Sequence, residues 1–430
     1  MFTYKKRKSL EKILRKIPNS LSSLIIDVLN PIRKKYVKNN IHPKWITLFI
    51  TNYCSARCGH CFYSKELNNK IEELNLENLK KIFLSLQKPL NTLRITGGEP
   101  FLNKSLEEFV IFIDKNVFAH LHKDVQQLIK TNNHILIKAT EKQKSYTALT
   151  PIIEELIESG FRKNNRLFAI GGGITQDITA FIASMMYRGV EWVFFPTTLL
   201  AQADSCIGGK TSINIGKYKN QLGNFYPPRK IFIIPELVKT LPELDFKSGM
   251  GEMLHFYLVS DESEFSFYQQ YYEKAFTDQN ALLMLVKRNL EIKKGFIERD
   301  EFDRGERQLL NYGHSFGHAI ESLTNYTIPH GIAVSYGMDM ANFVSTKLGF
   351  LEKSVRKKVR SQLEKIWEGT TIKNIDVKAF EKALSRDKKN IGNMYQLILT
   401  KGFGQMLKHG ISPNEDFTNW LNEYFTTELN

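Results

Sequence analysis

The sequence lacks any apolar run approaching the roughly 20 residues that a membrane span requires; its best stretch, Leu21 to Ile32, is short and interrupted by Asp27 and Pro31. A secretory signal is not expected either, since no long apolar core follows Lys5 to Lys8 and no small-residue cleavage pattern ends it. There is no internal repeat and no low-complexity tract. Cysteine is scarce, with four residues in all, and three of them, Cys54, Cys58 and Cys61, fall within eight positions. That spacing does not make disulfides. In a reducing compartment it reads first as a metal site, because thiolates are chosen by soft metals and iron-sulfur clusters. The absences together predict a cytoplasmic protein without a membrane span or a disulfide framework.

What is present is an ordinary globular composition over 430 residues, 42% apolar and 24% charged, enough for two to four domains and a substantial core. Acidic residues are in deficit, leaving a formal charge of +15. The excess is unevenly placed. Residues 1–40 hold eleven Lys and Arg against Glu11 and Asp27, so nine of the fifteen charges sit there. Such a leader (residues 1–43) is a solvated arm or, on the sharper reading, a contact for an anionic membrane surface. Nucleic acid is not needed to explain the charge.

Trp45 to Thr51 reads as a strand running into the cysteine loop, Asn75 to Gln87 as a helix, and Thr92 to Thr96 as the next strand, closed by Gly97-Gly98-Glu99-Pro100. A second α/β series follows. Its strands are Phe109 to Ile113, His134 to Lys138, Arg166 to Ile170 and Trp192 to Phe195, with a helix over Ile152 to Ser159. This alternation predicts a mostly parallel sheet covered by helices. From about residue 243 the period turns helical, over Leu282 to Ile297, Gln308 to Leu323 and Val355 to Trp367. The expected order is therefore a leader (1–43), a β-α-β segment (44–106), an α/β domain (107–242) and a mainly α-helical domain (243–430).

Cys54-x3-Cys58-x2-Cys61 offers three thiolates from one loop, enough for three corners of a cubane while leaving the fourth iron open. With Gly97-Gly98-Glu99-Pro100 after the next strand, it resembles the radical S-adenosylmethionine (SAM) family. The resemblance implies a [4Fe-4S] cluster on Cys54, Cys58 and Cys61 and SAM bound beside Gly97 to Pro100. It covers only residues 46–106, little more than one β-α-β unit of a barrel that usually has six, and has His60 where an aromatic is common. A zinc or empty thiol cluster including His60 is the alternative.

Residues 171–177, GGGITQD, follow a strand, and glycines there let the backbone approach a pyrophosphate. Alone this is a turn. Further segments raise it: Pro196 to Asn214 (PTTLLAQADSCIGGKTSIN), Lys219-Asn220, Ser248 to Met253 (SGMGEM), Leu309 to Glu321 (LLNYGHSFGHAIE) and Pro329 to Gly331. In this order, over residues 108–425, they resemble the 3-dehydroquinate synthase family of sugar-phosphate cyclases. The resemblance implies an N-terminal NAD-binding α/β domain, a C-terminal helical domain with a catalytic divalent metal, and an active site between them.

The family's metal ligands match Glu252, His314 and His330, for Zn2+ or Co2+; one carboxylate and two imidazoles leave positions open, as a catalytic zinc requires. His318, one helical turn after His314, then matches a substrate-phosphate contact. On the cofactor side the matches are Asp114 and Asn116 for ribose and adenosine, Glu141 and Lys144, the glycines Gly171, Gly172 and Gly173 with Asp177, and Thr197 and Thr198. For the substrate they are Asp204, Lys210, Lys219, Asn220, Lys293, Arg307, Asn311 and Lys388, cations suited to phosphate and carboxylate. Arg188 matches an arginine contributed across a homodimer interface.

One departure is conspicuous: the family has a lysine one turn after the metal-binding glutamate, and this chain has His255. Cys206 for serine and Gln176 for glycine are milder changes. The expected activity is cyclisation of 3-deoxy-arabino-heptulosonate 7-phosphate to 3-dehydroquinate, a carbon-oxygen lyase reaction of the shikimate pathway to aromatic amino acids. The alternatives are a cyclase for sedoheptulose 7-phosphate or glucose 6-phosphate, and an impaired iron-sulfur/NAD fusion that senses or binds.

Overall fold

A computed structural model of the chain describes residues 45–49, 92–96, 109–216, 218–372, 375–386, 390 and 392–429. Contacts divide the chain after Glu108 into residues 1–108 and 109–430. In the first unit β1 (Trp45–Phe49) pairs in parallel with β2 (Thr92–Thr96), Phe49 opposite Thr96. The chain therefore leaves both strands at the same end, towards the cysteine loop from one and towards Gly97 from the other. The expected helix over Asn75 to Gln87 lies outside the described residues.

The second unit opens with β3 (Phe109–Asp114), buried along its whole length. A continuous apolar run of this kind marks a strand covered on both faces. Helices α1 (Lys115–His120) and α2 (Lys123–Lys130) lead to β4 (His134–Ile137); α3 (Tyr146–Glu158), β5 (Arg166–Gly171), α4 (Gly173–Met185) and β6 (Trp192–Pro196) follow. After the short hairpin of β7 (Ile213–Ile215) and β8 (Tyr218–Leu222), β9 (Lys230–Ile231) closes the sheet in the order β4-β3-β5-β6-β9, all parallel. One row of aromatics crosses it: Phe109 stacks on Phe168 at 4.7 Å, and Phe195 on Phe232 at 4.9 Å. The carboxyl ends of β3, β5 and β6 carry Asp114, Gly171 and Pro196-Thr197, the edge where open α/β sheets bind ligands.

The remainder is mainly helical: α5 (Glu243–Ser260), α6 (Glu262–Tyr272), α7 (Gln279–Arg299), α8 (His314–Leu323), α9 (His330–Lys347), α10 (Lys353–Trp367), α11 (Val377–Leu384) and α12 (Glu415–Glu423). Helix α5 is buried continuously from Lys247 to Val259 and α9 from Gly331 to Ser345, so both are core helices rather than amphipathic covers. The two hydrophobic clusters of the unit, one around the sheet and one around α5 and α9, are joined by Ile233 and Leu290, which pack against both.

Two expectations need correction. The single helix over Gln308 to Leu323 is a 3-10 turn, Glu306–Asn311, and then α8, because Gly313 takes a left-handed φ of 81° between them. The helical part also contains an antiparallel hairpin, β10 (Tyr395–Thr400) and β11 (Met406–Ile411). Its apolar run at Leu397 to Leu399 is buried on consecutive residues, so the two-residue alternation that announces a half-exposed strand is absent.

Candidate active site

The sheet's carboxyl edge and the starts of α8 and α9 face a cavity of about 780 Å³. It continues into a neighbouring one of about 840 Å³ through Glu141, Lys210, Asn220, Asn311, His318 and His330, which line both.

At its floor three helices bring together a carboxylate and two imidazoles. Glu252 comes from α5 and is 2% exposed; His314 and His330 are the first residues of α8 and α9. His314 Nε2 lies 3.4 Å from Glu252 Oε1, and His330 Nε2 lies 3.5 Å from Glu252 Oε2. Helices α5 and α9 approach this closely because they meet at Gly251 and Gly331. The other ring nitrogens are engaged: His314 Nδ1 donates to the Tyr312 carbonyl at 3.2 Å and His330 Nδ1 to Glu321 Oε2 at 3.0 Å. Both rings thus turn Nε2 inward, as metal-binding histidines do.

Metal–ligand distances of about 2.0–2.2 Å put neighbouring donors of a tetrahedral zinc about 3.3–3.5 Å apart. The separations here are of that size, and Glu252 Oε2, though buried, has no hydrogen-bond partner. The donor set therefore fits a divalent transition metal. Burial works to raise the Glu252 pKa, but the imidazoles of His314, His255 and His330 hold it below the usual carboxylate range. Burial likewise opposes charge on His330, yet Glu321 and Glu252 push its pKa up to about 9.

His255 lines the same cavity, 1% exposed, with its pKa brought down to about 4 by burial against the pull of Glu252. Neither of its ring nitrogens has a hydrogen-bond partner.

Above the floor lies a basic wall. Lys293 is anchored by three acceptors: Asp204 Oδ1 at 2.8 Å, the Asp204 carbonyl at 2.6 Å and the Ile207 carbonyl at 3.0 Å. Lys210 bonds Asp303 at 2.6 Å, and burial lowers its pKa although Asp303 opposes the shift. Arg307 is 3% exposed and donates to the carbonyls of Glu301 and Gly208. Asn311 and His318 line the cavity between them, while Lys219 stands over the Tyr326 ring at 3.5 Å and 3.7 Å from Glu141. Asn220 accepts from Ser212 Oγ at 3.0 Å and has a positive φ of 54°.

On the sheet side Lys144 and Asp177 form a buried pair at 2.6 Å, and Ser212 donates to Asp177 from its amide and its hydroxyl. Burial raises the Asp177 pKa even against these partners. Glu141 accepts from Asn214 at 2.8 Å. Gly172 and Gly173 form the turn into α4 and line the cavity with Asp114, Asp177 and Thr198. Bare amides at a helix N-terminus of this kind suit a phosphate.

Several expected residues lie off the cavity. Asn116 is exposed and outside the lining; its amide donates at 2.8 Å to Asp114, which does line the cavity and also caps α1. Gly171 and Thr197 act behind the lining, where the Thr197 amide donates to the Gly171 carbonyl at 3.0 Å. Arg188 is exposed on the turn after α4, with a φ of 63°. Lys388, Cys54, Cys58 and Cys61 lie outside the described residues. Sequence reasoning passed over Glu321, although it closes the very segment that holds His314 and His318, and Asp303, which sits in a loop with no recognisable pattern. Among the described residues no helix is long and apolar enough to cross a membrane.

Comparison with known proteins places these features. A family model for the 3-dehydroquinate synthase N-terminal part matches residues 134–248, and one for its C-terminal part matches residues 249–390. A radical SAM superfamily model matches residues 48–162, running past Glu108 into residues whose contacts belong to the second unit. The 3-dehydroquinate synthase of Thermodesulfovibrio yellowstonii is 37% identical over 76% of this chain and 93% of its own length. That of Campylobacter concisus is 35% identical over 71% and 88%. Among solved structures, 2-deoxy-scyllo-inosose synthase complexed with carbaglucose-6-phosphate, NAD+ and Co2+ aligns with a TM-score of 0.63 at 21% identity, over 74% of this chain and 89% of that one. The 2-epi-5-epi-valiolone synthase of Streptomyces hygroscopicus, with NAD+ and Zn2+ bound, aligns at 0.66 and 22%, over 73% and 90%. At such identities the structures establish the fold alone.

Proposed function

The chain belongs to the 3-dehydroquinate synthase family, and from that premise we propose that it cyclises 3-deoxy-arabino-heptulosonate 7-phosphate to 3-dehydroquinate with loss of phosphate. The observation that carries this reading is the meeting, in one cavity, of Glu252, His314 and His330 with the cations of the basic wall and the glycine turn into α4. Glu252, His314 and His330 would hold zinc or cobalt; Gly172, Gly173, Asp114, Lys144, Asp177 and Thr198 would hold NAD.

Bound there, NAD supplies a hydride acceptor and donor, and the metal supplies a Lewis acid. The protein's own work is positioning. Lys210, Arg307, Asn311 and His318 supply donors for the phosphate and carboxylate of the substrate, and binding both ends would fix the sugar in one orientation in the cleft. Lys293, pinned by three acceptors, holds Asp204 at the wall instead of roaming. With NAD bound, oxidation of a ring hydroxyl would acidify the neighbouring C–H and so permit β-elimination of phosphate, which Lys210, Arg307, Asn311 and His318 would hold as it leaves. The cations lower the barrier by stabilising charge on the departing phosphate. We place this activity in the cytoplasm and in a homodimer, in which the exposed Arg188 reaches the partner's cleft.

The test is phosphate release by metal-replete, NAD-loaded protein supplied with the heptulosonate phosphate, sedoheptulose 7-phosphate or glucose 6-phosphate. Release from the first alone supports the proposal. Because His255 replaces the family lysine, release from one of the others supports the second reading, a cyclase for another sugar phosphate. Silence with all three removes both and favours the impaired sensor.

For the N-terminal unit we propose a [4Fe-4S] cluster on Cys54, Cys58 and Cys61 with SAM beside Gly97 to Pro100. The parallel pair β1–β2, which sends both segments off the same end of the sheet, supports it. Anaerobically reconstituted protein should absorb broadly in the visible range and Cys58→Ala should lose that absorption; a colourless wild type overturns it.

A further inference from the structure

We propose that Gln176 is a positioning residue: it holds the turn that carries Asp204 to the substrate wall, and ties that turn to the glycine turn of the cofactor side. This deepens the cyclase reading above and rests on it. Gln176 lies in the first turn of α4, is 4% exposed and lines the cavity beside Asp177. Its Nε2 donates to the Ser205 carbonyl at 2.5 Å, and its Oε1 accepts from Ser205 Oγ at 2.6 Å. Its own backbone amide donates to the Gly172 carbonyl at 3.0 Å. One residue therefore joins the turn proposed for the cofactor to Ser205, the neighbour of Asp204. The family pattern has glycine at this place, which offers neither side-chain bond.

The turn itself needs holding. Ala201–Ser205 is a π-helical turn, a wide form of helix that is rare and short. Carbonyls at the end of such a segment have no following turn of amides to meet, and here side chains meet them. Asn289 Nδ2 donates to the Ala203 carbonyl at 2.8 Å, Lys293 Nζ to the carbonyls of Asp204 and Ile207, and Gln176 Nε2 to that of Ser205. Asn289 and Lys293 both come from α7, one helical turn apart. Gln176 comes instead from the start of α4, so two elements grip the turn and it cannot simply pivot on α7. Lys293 is also bonded to the Asp204 carboxylate at 2.8 Å, so a pivot would move the aspartate and the lysine of the substrate wall together. The polar atoms of the Gln176 side chain are both engaged with Ser205, which makes the residue a bracket within the protein. A wall fixed before the substrate arrives costs less ordering on binding, so the bracket should show in substrate affinity.

The test is calorimetric titration of the full chain, metal-replete and loaded with NADH. The titrant is the heptulosonate phosphate, or sedoheptulose 7-phosphate or glucose 6-phosphate where the wild type binds that instead. NADH cannot accept a hydride, so binding is read without turnover. Gln176→Met keeps the bulk of the side chain and loses both bonds; it should bind the sugar phosphate about fivefold or more weakly, the order by which members of one hydrogen-bond network couple. Ser205→Ala loses one bond and should fall between Gln176→Met and wild type. In an Asp204→Asn background Gln176→Met should change the affinity by less than about twofold, because its effect passes through Asp204. NADH affinity in Gln176→Met, followed by fluorescence, should stay within about threefold of wild type, as for a site outside the network. Unchanged sugar-phosphate affinity in Gln176→Met overturns the proposal, as does an equal loss with and without Asp204. A matching loss of NADH affinity overturns it too, since that is what a loosened fold would give. A wild type that binds NADH but none of the three sugar phosphates sinks the cyclase reading itself, and the proposal with it.

Discussion

Gly251 packs so closely on Gly331 that a Cβ on the first would stand 2.3 Å from the carbonyl oxygen of the second. Each glycine is next to a residue of the proposed metal site, Gly251 before Glu252 and Gly331 after His330. Sequence spacing is thereby converted into ligand spacing, since only the missing side chains let these two backbones come into contact. Gly251→Ala must push α5 from α9. Overpacking of this kind should cost about 1–3 kcal/mol of stability and, because the donors separate, weaken cobalt binding as well. Urea denaturation and a cobalt titration check the two effects; normal metal affinity in the variant would mean that the helices do not set the donor spacing.

Glu321 acts on the site through His330. Its Oε2 accepts from His330 Nδ1 at 3.0 Å, which keeps a proton on Nδ1 and turns Nε2 toward Glu252. Glu321→Gln preserves shape but can rotate to offer an amide donor in place of an acceptor. Metal affinity should fall about 10–100-fold, read by calorimetry on metal-free protein. An affinity within twofold of wild type would show that His330 is oriented by packing alone.

The legible part of this molecule is the part where chemistry demands particular residue types. Glu252, His314 and His330 are legible because they fall where the family's motif has its metal ligands, residue types that suit a metal, and the buried run of β3 because a strand covered on both sides must be apolar. What stayed hidden depended on tertiary contact. Asp303 meets Lys210 from a loop 93 residues away. The hairpin β10–β11 is held by α9, with the Thr400 amide donating to Ser345 Oγ at 3.1 Å, a partner no local pattern reveals. The break at Gly313 was within reach, since a glycine between two helical stretches often takes a left-handed φ.

Asp339 is fully buried in α9 and is held by Arg356, Arg360 and the Tyr424 hydroxyl. This cluster ties α9 to α10 and to the C-terminal segment. Removing the carboxylate takes the buried partner from both guanidinium groups and leaves them only Glu428 and Glu364, so Asp339→Ala should cost about 3–5 kcal/mol. Denaturant unfolding measures it, and a loss under about 1 kcal/mol would show that Glu428, Glu364 and water suffice for the two arginines.

The Lys144–Asp177 pair gives a test with a sign. Burial raises the Asp177 pKa, and Lys144 is the strongest influence opposing that rise. Lys144→Met removes the opposition, so the carboxyl in the folded variant holds its proton to higher pH than in the unfolded chain. Between those two pKa values the native state binds more protons than the unfolded one, and stability therefore falls as pH rises. The variant should be relatively more stable at pH 5 than at pH 7 when each is compared with wild type by urea denaturation. At pH 7 it should also bind NAD at least tenfold more weakly, followed by NADH fluorescence, because the ordered pair lines the proposed cofactor side of the cavity. A stability difference that does not change with pH would mean that water reaches Asp177 once the lysine is gone, and the carboxyl would then keep its ordinary pKa.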